Sequence, residues 1–203
     1  MKVTIYGAGA IGGWIGVRLA QAGCDVSVVA RGDTLKAVQD NGLRLESAGS
    51  TATVPVRASS NPADLGVQDL VVVAVKAPAM AGVAQAIAPL LGPGTMVLTA
   101  MNGVPWWFFE GFGGALAGTR LSAVDPGGTI AQAIPGHHII GCVVHASCSL
   151  NGPGHVKHHF GNKLIIGEPS GERTARVQPL TAFLAKAGFE AVLSEQIQKD
   201  PWY

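Results

Sequence analysis

Six residues near the start of the chain, Gly7-Ala8-Gly9-Ala10-Ile11-Gly12, constrain the fold more than any other segment. They follow a short apolar run, KVTIY at 2–6, which has the character of a buried parallel strand. They also open a segment in which Ile11, Ile15 and Leu19 recur at helical spacing, with Gly23 placed to end the helix as a left-handed C-cap. DVSVVA at 25–30 then reads as a second strand. Strand, glycine-rich turn, helix and strand within thirty residues make a right-handed parallel unit. In that setting Gly7 permits the tight turn, Gly9 lets the backbone approach a pyrophosphate, and Gly12 allows close helix packing. Ala8, Ala10 and Ile11 complete the loop, and the helix N-terminus offers amide donors to an anion. The competing reading is a glycine-rich packing turn or a loop for another nucleotide-like ligand; the flanking strands and helix favour a dinucleotide.

The rest of the pattern extends this unit. Leu35 and Val38 mark a short helix closed by Asn41-Gly42, and LRLES with TATVPVR around Ala48-Gly49-Ser50 reads as an inserted hairpin. The third parallel strand is expected at 69–75, DLVVVAV, the most continuous apolar run of the chain. Pro78 suits the first turn of a helix whose face is Val83, Ile87 and Leu90, ended by Gly92-Pro93-Gly94. TMVLTA at 95–100 is the next strand, ending at Asn102-Gly103. The stretch 104–135 has no clean period. Beyond it, IIGCVVHAS, GHVKHHF and KLIIGE are expected as antiparallel meander strands. A helix on Val177, Leu180, Leu184 and Ala187 follows, then a last strand in FEAVLSE. The fold class expected is α/β: a Rossmann-like doubly wound parallel sheet with an antiparallel extension, over 1–196. Residues 197–203 read as the start of a further element, an apolar edge from Ile197 to Tyr203 that a partner would cover.

Composition narrows the function. Lys+Arg 14 against Asp+Glu 13 leaves a net charge of +1, and 13% of the 203 residues are charged, against about 25% in ordinary soluble domains. Such a chain has no field to steer a polyanion, so nucleic-acid coating is excluded and any anion is held by local geometry. No apolar stretch reaches the roughly 18 residues of a membrane span, and MKVTIYGAGAIGG lacks the pattern of a secretory signal. A cytoplasmic location with no membrane partner is expected. Cys24, Cys142 and Cys148 are odd in number and lack C-x-x-C spacing, so they read as small buried residues.

Three side chains carry candidate chemistry. An NAD-preferring site places Asp or Glu about 20 residues beyond the glycine loop, on the ribose 2′-hydroxyl. Here the second strand ends Val29-Ala30-Arg31, 24 positions after Gly7, and a guanidinium suits a 2′-phosphate. The expected cofactor is therefore NADP(H); a solvated Arg31 with Asp33 reading the ribose would keep NAD. Lys76 ends the strand at 69–75, where an ammonium would meet a cofactor phosphate or a substrate carboxylate, or snorkel at the surface. Asn102 occupies the same edge one strand later, offering donors and an acceptor to a nicotinamide ribose or substrate, or serving as a turn residue. Four of the six histidines (His145, His155, His158, His159) fall in the expected antiparallel region. His158 and His159 alternate faces and no metal-ligand signature is present, so no metal site is expected. A serine-hydrolase reading lacks its G-x-S-x-G elbow. Trp106-Trp107-Phe108-Phe109 reads as packing, or as a pocket roof or second-domain contact.

GAGAIGG, Arg31, VVVAVKA with Lys76, Asn102-Gly103, the G-x-V-x-H segment from Gly141 to His145 and LIIGE at 164–168 together resemble the N-terminal domain of the ketopantoate reductase family. The resemblance covers essentially the whole chain. It implies NADPH-dependent reduction of 2-dehydropantoate, or a related 2-oxo acid, on the route to pantothenate and coenzyme A. It further implies that the glycine loop holds the pyrophosphate, Arg31 the 2′-phosphate, and that Lys76 and Asn102 line the cofactor and substrate cleft. In that family the general-acid lysine and further substrate-binding residues come from a helical C-terminal domain, just after an aromatic pair like Trp202-Tyr203. That domain is absent from this sequence, so the chain is expected to bind NADPH without appreciable turnover. A small 2-oxo acid is the expected substrate, and a second copy of the chain is an admissible partner. Two other classes stay open: a non-catalytic NADP-binding or sensing module, and an S-adenosylmethionine-dependent methyltransferase. Arg31 argues against the latter, whose ribose hydroxyls need an acidic residue.

Overall fold

The computed structural model describes residues 1–111 and 113–200. The first unit comprises β1 (Lys2–Tyr6), α1 (Ala10–Gln21) and β2 (Asp25–Val29), the two strands parallel from Lys2↔Asp25 to Tyr6↔Val29. Next come α2 (Gly32–Asn41), β3 (Leu43–Ser47), β4 (Ser50–Val54) and β5 (Arg57–Ser59). β6 (Leu70–Val73), α3 (Met80–Ala86), β7 (Met96–Ala100) and α4 (Thr129–Ala133) follow. The remaining elements are β8 (Ile139–Leu150), β9 (His155–Gly167), α5 (Val177–Lys186) and β10 (Glu190–Leu193).

Among the described residues the strands form one sheet, ordered β4-β3-β9-β8-β7-β6-β1-β2-β5, with β10 beside β9. From β5 through β2, β1, β6 and β7 to β8 every pairing is parallel. The direction of travel reverses between β1 and β6, the switch point of a doubly wound sheet. Side-chain alternation along each strand feeds two separate cores. Leu70 and Val72 pack with Ile15, Leu19 and Leu184, whereas Val71 and Val73 pack with Val83, Ile87 and Ile130.

Several expectations are corrected. TATVPVR is not one hairpin strand: β4 stops at Val54 before Pro55, and Arg57–Ser59 pairs parallel with β2 as the outer strand, so it is the third parallel strand in chain order. The β3–β4 hairpin is no isolated insertion, because β3 continues the sheet parallel to β9. The meander is replaced as well. β8 crosses over to lie parallel to β7, and GHVKHHF and KLIIGE are one strand, β9, antiparallel to β8. An irregularity in register between His145 and Cys148 faces Gly161, at φ +78, and this bulge interrupts the apolar alternation in mid-strand. Ile197 and Gln198 are buried, with Ile197 and Trp107 both closing on Gly141 of β8. The expected apolar edge therefore begins inside this unit, and Trp202 and Tyr203 lie outside the described residues. Trp106, Trp107 and Phe108 are buried too, in keeping with packing.

The enclosure of α1 explains the curl of the sheet. Seven of its twelve residues are buried, including Gly12, Gly13, Gly16 and Trp14. A Cβ on Gly12 would stand 2.0 Å from the Gly7 carbonyl oxygen. On Gly13 it would stand 2.6 Å from Val156 Cγ2 of β9, and on Gly16 3.0 Å from Ile5 of β1 and Leu43 of β3. A helix glycine costs about 1 kcal/mol relative to alanine. Three within five positions mark close approach on three sides. On a further side Trp14 meets Phe189 edge-on at 5.0 Å and stacks on His158 at 5.6 Å, with the Arg18 guanidinium over Trp14 and Phe189.

Gly12→Ala should lower stability by about 3 kcal/mol or more, because the new methyl meets backbone. Gly16→Ala faces the ends of flexible side chains and should cost about 1 kcal/mol or less. Paired urea melts test the order.

Candidate functional site

A cleft of about 290 Å³ opens where the chain leaves β1, β2 and β6, at the switch point. Its floor is the glycine loop. Gly7 N–H donates to Val29 O at 3.1 Å and Ala74 N–H to Tyr6 O at 3.0 Å, so both neighbouring strands pin the turn. Gly7 has φ +98, and a Cβ there would stand 2.6 Å from Val75 Cγ1. Gly9 is the N-cap of α1, and a Cβ on it would meet nothing within 4 Å, so the space above it is open to a ligand. No side chain caps α1 and its first turn holds no acid. The leading amides therefore keep their partial positive charge without a protein anion, the arrangement that holds a phosphate.

Arg31 is the N-cap of α2 and reaches into the same cleft with Thr34 and Ser60. A cation at a helix N-terminus opposes the helix dipole, so the local fold gains nothing from this arginine. Asp33, in the first turn of α2, is exposed and outside the cleft lining. Burial pushes the Tyr6 phenol above its ordinary value, and the Arg31 guanidinium pulls against that shift, which places the cation beside the end of β1.

The other expected residues do not gather here. Lys76 is exposed at the carboxyl end of β6, outside the cleft lining, and its carbonyl accepts from Ala79 N–H at 2.8 Å. Asn102 is on the rim past β7, with both ends of its amide already engaged. Its Nδ2 donates to Val144 O and its Oδ1 accepts from Val144 N–H, each at 2.9 Å. The β7–β8 ladder runs from Val97↔Ile139 to Ala100↔Cys142, and this amide continues the same register after the backbone has turned away. Asn102 is thus a clamp on β8 with one Nδ2 hydrogen uncommitted, where cleft lining was expected. Ala10 and Gly12 lie in the first turn of α1, while Ile11 lines a separate hollow of about 580 Å³ with His145 and Phe160. Gly7, Ala8, Gly9 and Arg31 are the expected residues that meet in one cleft.

Sequence reasoning missed Tyr6, Thr34, Ser60 and Leu150, which share that cleft. Thr34 was legible from its place one turn beyond Arg31. Ser60 required β5 to be recognised as a parallel strand, and Leu150 had no local signal.

The cysteines are free. Burial pushes the Cys142 thiol up to about 12 and that of Cys148 to about 11, Arg18 opposing the latter. Among the described residues no cluster of three or more His, Cys, Asp or Glu side chains could hold a metal ion, and no helix is long and apolar enough to cross a membrane.

A parallel doubly wound sheet with a bare helix N-terminus and a glycine turn at its switch point defines a Rossmann-like domain. The family model described as ketopantoate reductase PanE/ApbA matches residues 3–106. The chain belongs to the ketopantoate reductase family. It is 49% identical over 203 residues to a 2-dehydropantoate 2-reductase of Mesorhizobium japonicum, a match covering 100% of this chain and 62% of the relative. A solved candidate ketopantoate reductase from Ralstonia solanacearum MolK2 superposes with a TM-score of 0.96 at 56% identity, covering 98% of this chain and 62% of that one. A PanE/ApbA family ketopantoate reductase from Ralstonia eutropha JMP134 gives a TM-score of 0.78 at 31% identity, covering 100% of this chain and 59% of that one. The chain spans about three-fifths of the length of these relatives.

Asn102→Ala should cost about 2 kcal/mol and speed hydrogen exchange at the Val144 amide, because both of that residue's backbone groups lose a partner. The raised Cys142 value carries a sign. The folded state holds this proton more tightly than the unfolded chain, whose thiol titrates near 9.0. Stability should therefore fall as pH rises from about 9 towards 12. At pH 8, iodoacetamide should label native Cys142 at least about a hundredfold more slowly than in urea.

Proposed function

We propose that the chain is the NADP(H)-binding domain of an enzyme that reduces 2-dehydropantoate, or a close 2-oxo acid, to the 2-hydroxy acid in the cytoplasm. The observation that carries the cofactor choice is the lining of the cleft: Arg31, Thr34 and Ser60 face it and Asp33 does not. A forked, permanently charged donor flanked by two hydroxyls suits a 2′-phosphate, whereas a ribose 2′-hydroxyl calls for a carboxylate.

The residues present fit the group. The open space over Gly9 and the uncapped first turn of α1 suit the pyrophosphate. Arg31 holds the far phosphate in this reading, and Lys76 and Asn102 stand at the rim towards the reacting end. When bound, the cofactor supplies a hydride to the ketone carbon. What this chain's residues do is orient it: the turn held by Val29 and Tyr6 fixes the loop, and the Asn102 clamp fixes the neighbouring strand ends. Among the described residues the lining of this cleft holds Arg31 and hydroxyl groups but no lysine, histidine or carboxylate, which suits anchoring the phosphate end of the cofactor rather than proton transfer. The general acid in this reading lies outside the 203 residues, so the chain binds NADPH without appreciable turnover. The burial of Ile197 and Gln198 supports a domain that extends past residue 196 in this reading.

Arg31→Ala should weaken NADPH about 10- to 100-fold and NADH less than about threefold, since a charged hydrogen-bond pair is lost only with the former. Fluorescence titration of the reduced nicotinamide reads both constants. Equal losses for the two cofactors would overturn the assignment to NADP.

A further inference from the structure

Most of the cleft lining falls within residues 6–86, and one lining residue comes from a distant part of the chain. Leu150, the last residue of β8, lines the cleft together with Gly9 and Arg31, and leaves 51% of its surface exposed. Leu150 thus presents an aliphatic face to the cleft beside the donors Arg31, Thr34 and Ser60.

Its position is fixed rather than incidental. The turn after Leu150 is closed by Asn151 N–H to His155 O at 2.8 Å and His155 N–H to Gly152 O at 3.1 Å. Asn151 Nδ2 donates to Glu46 Oε2 at 2.8 Å, and Lys157 pairs with the same carboxylate at 2.8 Å, so β3 grips both strands of the hairpin. Arg44 N–H donates to Gly154 O at 2.9 Å, and a Cβ on Gly154 would stand 3.0 Å from Val38 of α2. The tip is therefore braced against α2, the helix whose N-cap is Arg31.

We propose that Leu150 is an apolar clamp for the adenosine half of the dinucleotide, presented by the β8–β9 hairpin across the cleft from the nucleotide-binding unit. This rests on the NADP(H) reading of the cleft. A phosphate needs donors, which Arg31, Thr34 and Ser60 offer, while the flat apolar face of a purine or its ribose needs an aliphatic surface, which Leu150 offers. Leu150 lines the cleft together with Arg31, Thr34 and Ser60, the donors assigned to the 2′-phosphate, and this placement selects the adenosine half over the nicotinamide half.

The test uses Leu150→Ser, Leu150→Met and the parent chain, each titrated with NADPH and with adenosine 2′,5′-bisphosphate, which carries only the adenosine 2′-phosphate half. The serine variant should bind both about 5- to 20-fold more weakly, by the same factor, while methionine stays within about twofold of the parent. Melting without ligand should change little, as Leu150 is half exposed. Unchanged affinity in the serine variant overturns the clamp, as does a loss confined to NADPH, which would place the contact on the other half. If the parent chain itself binds neither probe, the NADP(H) reading falls, a failure distinct from that of the clamp.

Discussion

The contact between the first turn of α1 and the turn that precedes it governs the rest of this molecule. With Gly12 within contact of the Gly7 carbonyl, α1 lies closer to the sheet than any side chain at position 12 would allow. That closeness aims the helix N-terminus at the cleft, and it also leaves room on the far side of α1 for a second layer. Val156 of β9 and Leu43 of β3 fill that room against Gly13 and Gly16. The sheet therefore continues past β8 and folds back over the helix. The same curl brings the β8–β9 hairpin to the cleft, so the geometry of one glycine pair near the start of the chain bears on a wall formed by Leu150 at the end of β8.

Electrostatics follow the same economy of means. With 13% charged residues and a net charge of +1, the chain has little long-range field. Individual placements decide. α1 begins with no acid in its first turn, which would be a fault in a purely structural helix, and α2 begins with an arginine where the dipole favours an anion. Both departures from good helix design point into one cleft. By contrast, the buried Glu168 is fully matched: it accepts from Thr174 and from Arg176 Nε at 2.8 Å, while Arg176 also reaches the Ile139 carbonyl at 3.1 Å. That network ties β9, α5 and β8 together and leaves no charge seeking a ligand.

What was legible in the sequence was local. The βαβ unit, the ends of α1 and α2 and the course of β6 and β7 follow from apolar period and glycine position. What was not legible depends on contacts between distant segments. β5 is three residues long and carries too little pattern to announce a strand; its parallel partner β2 defines it. β9 reads as two strands because Gly161 places a bulge in its middle, a departure from alternation that pairing with β8 tolerates. Ile197 looks like a free apolar end until Trp107 and Gly141 supply its pocket. In the site, Arg31 and the glycine loop were readable because they sit within one βαβ unit. Ser60 and Leu150 reach the cleft only through the sheet order.

Asn102 shows how an amide can serve the site without facing it. A backbone ladder ends where the chain must turn, and β7 has to turn at residue 101 for its loop to reach the rim. Left alone, Val144 would lose both partners at that point, and the carboxyl ends of β7 and β8 would splay. The carboxamide of Asn102 has the donor and acceptor spacing of a peptide group, so it extends the pairing by one register step while its own backbone departs. His145, next along β8 and exposed, is thereby held at the same edge as the 101–103 loop. The sheet edge nearest the expected reacting end of the cofactor is rigid for that reason, and rigidity there is what a domain needs if it is to present a bound nicotinamide to groups supplied from elsewhere.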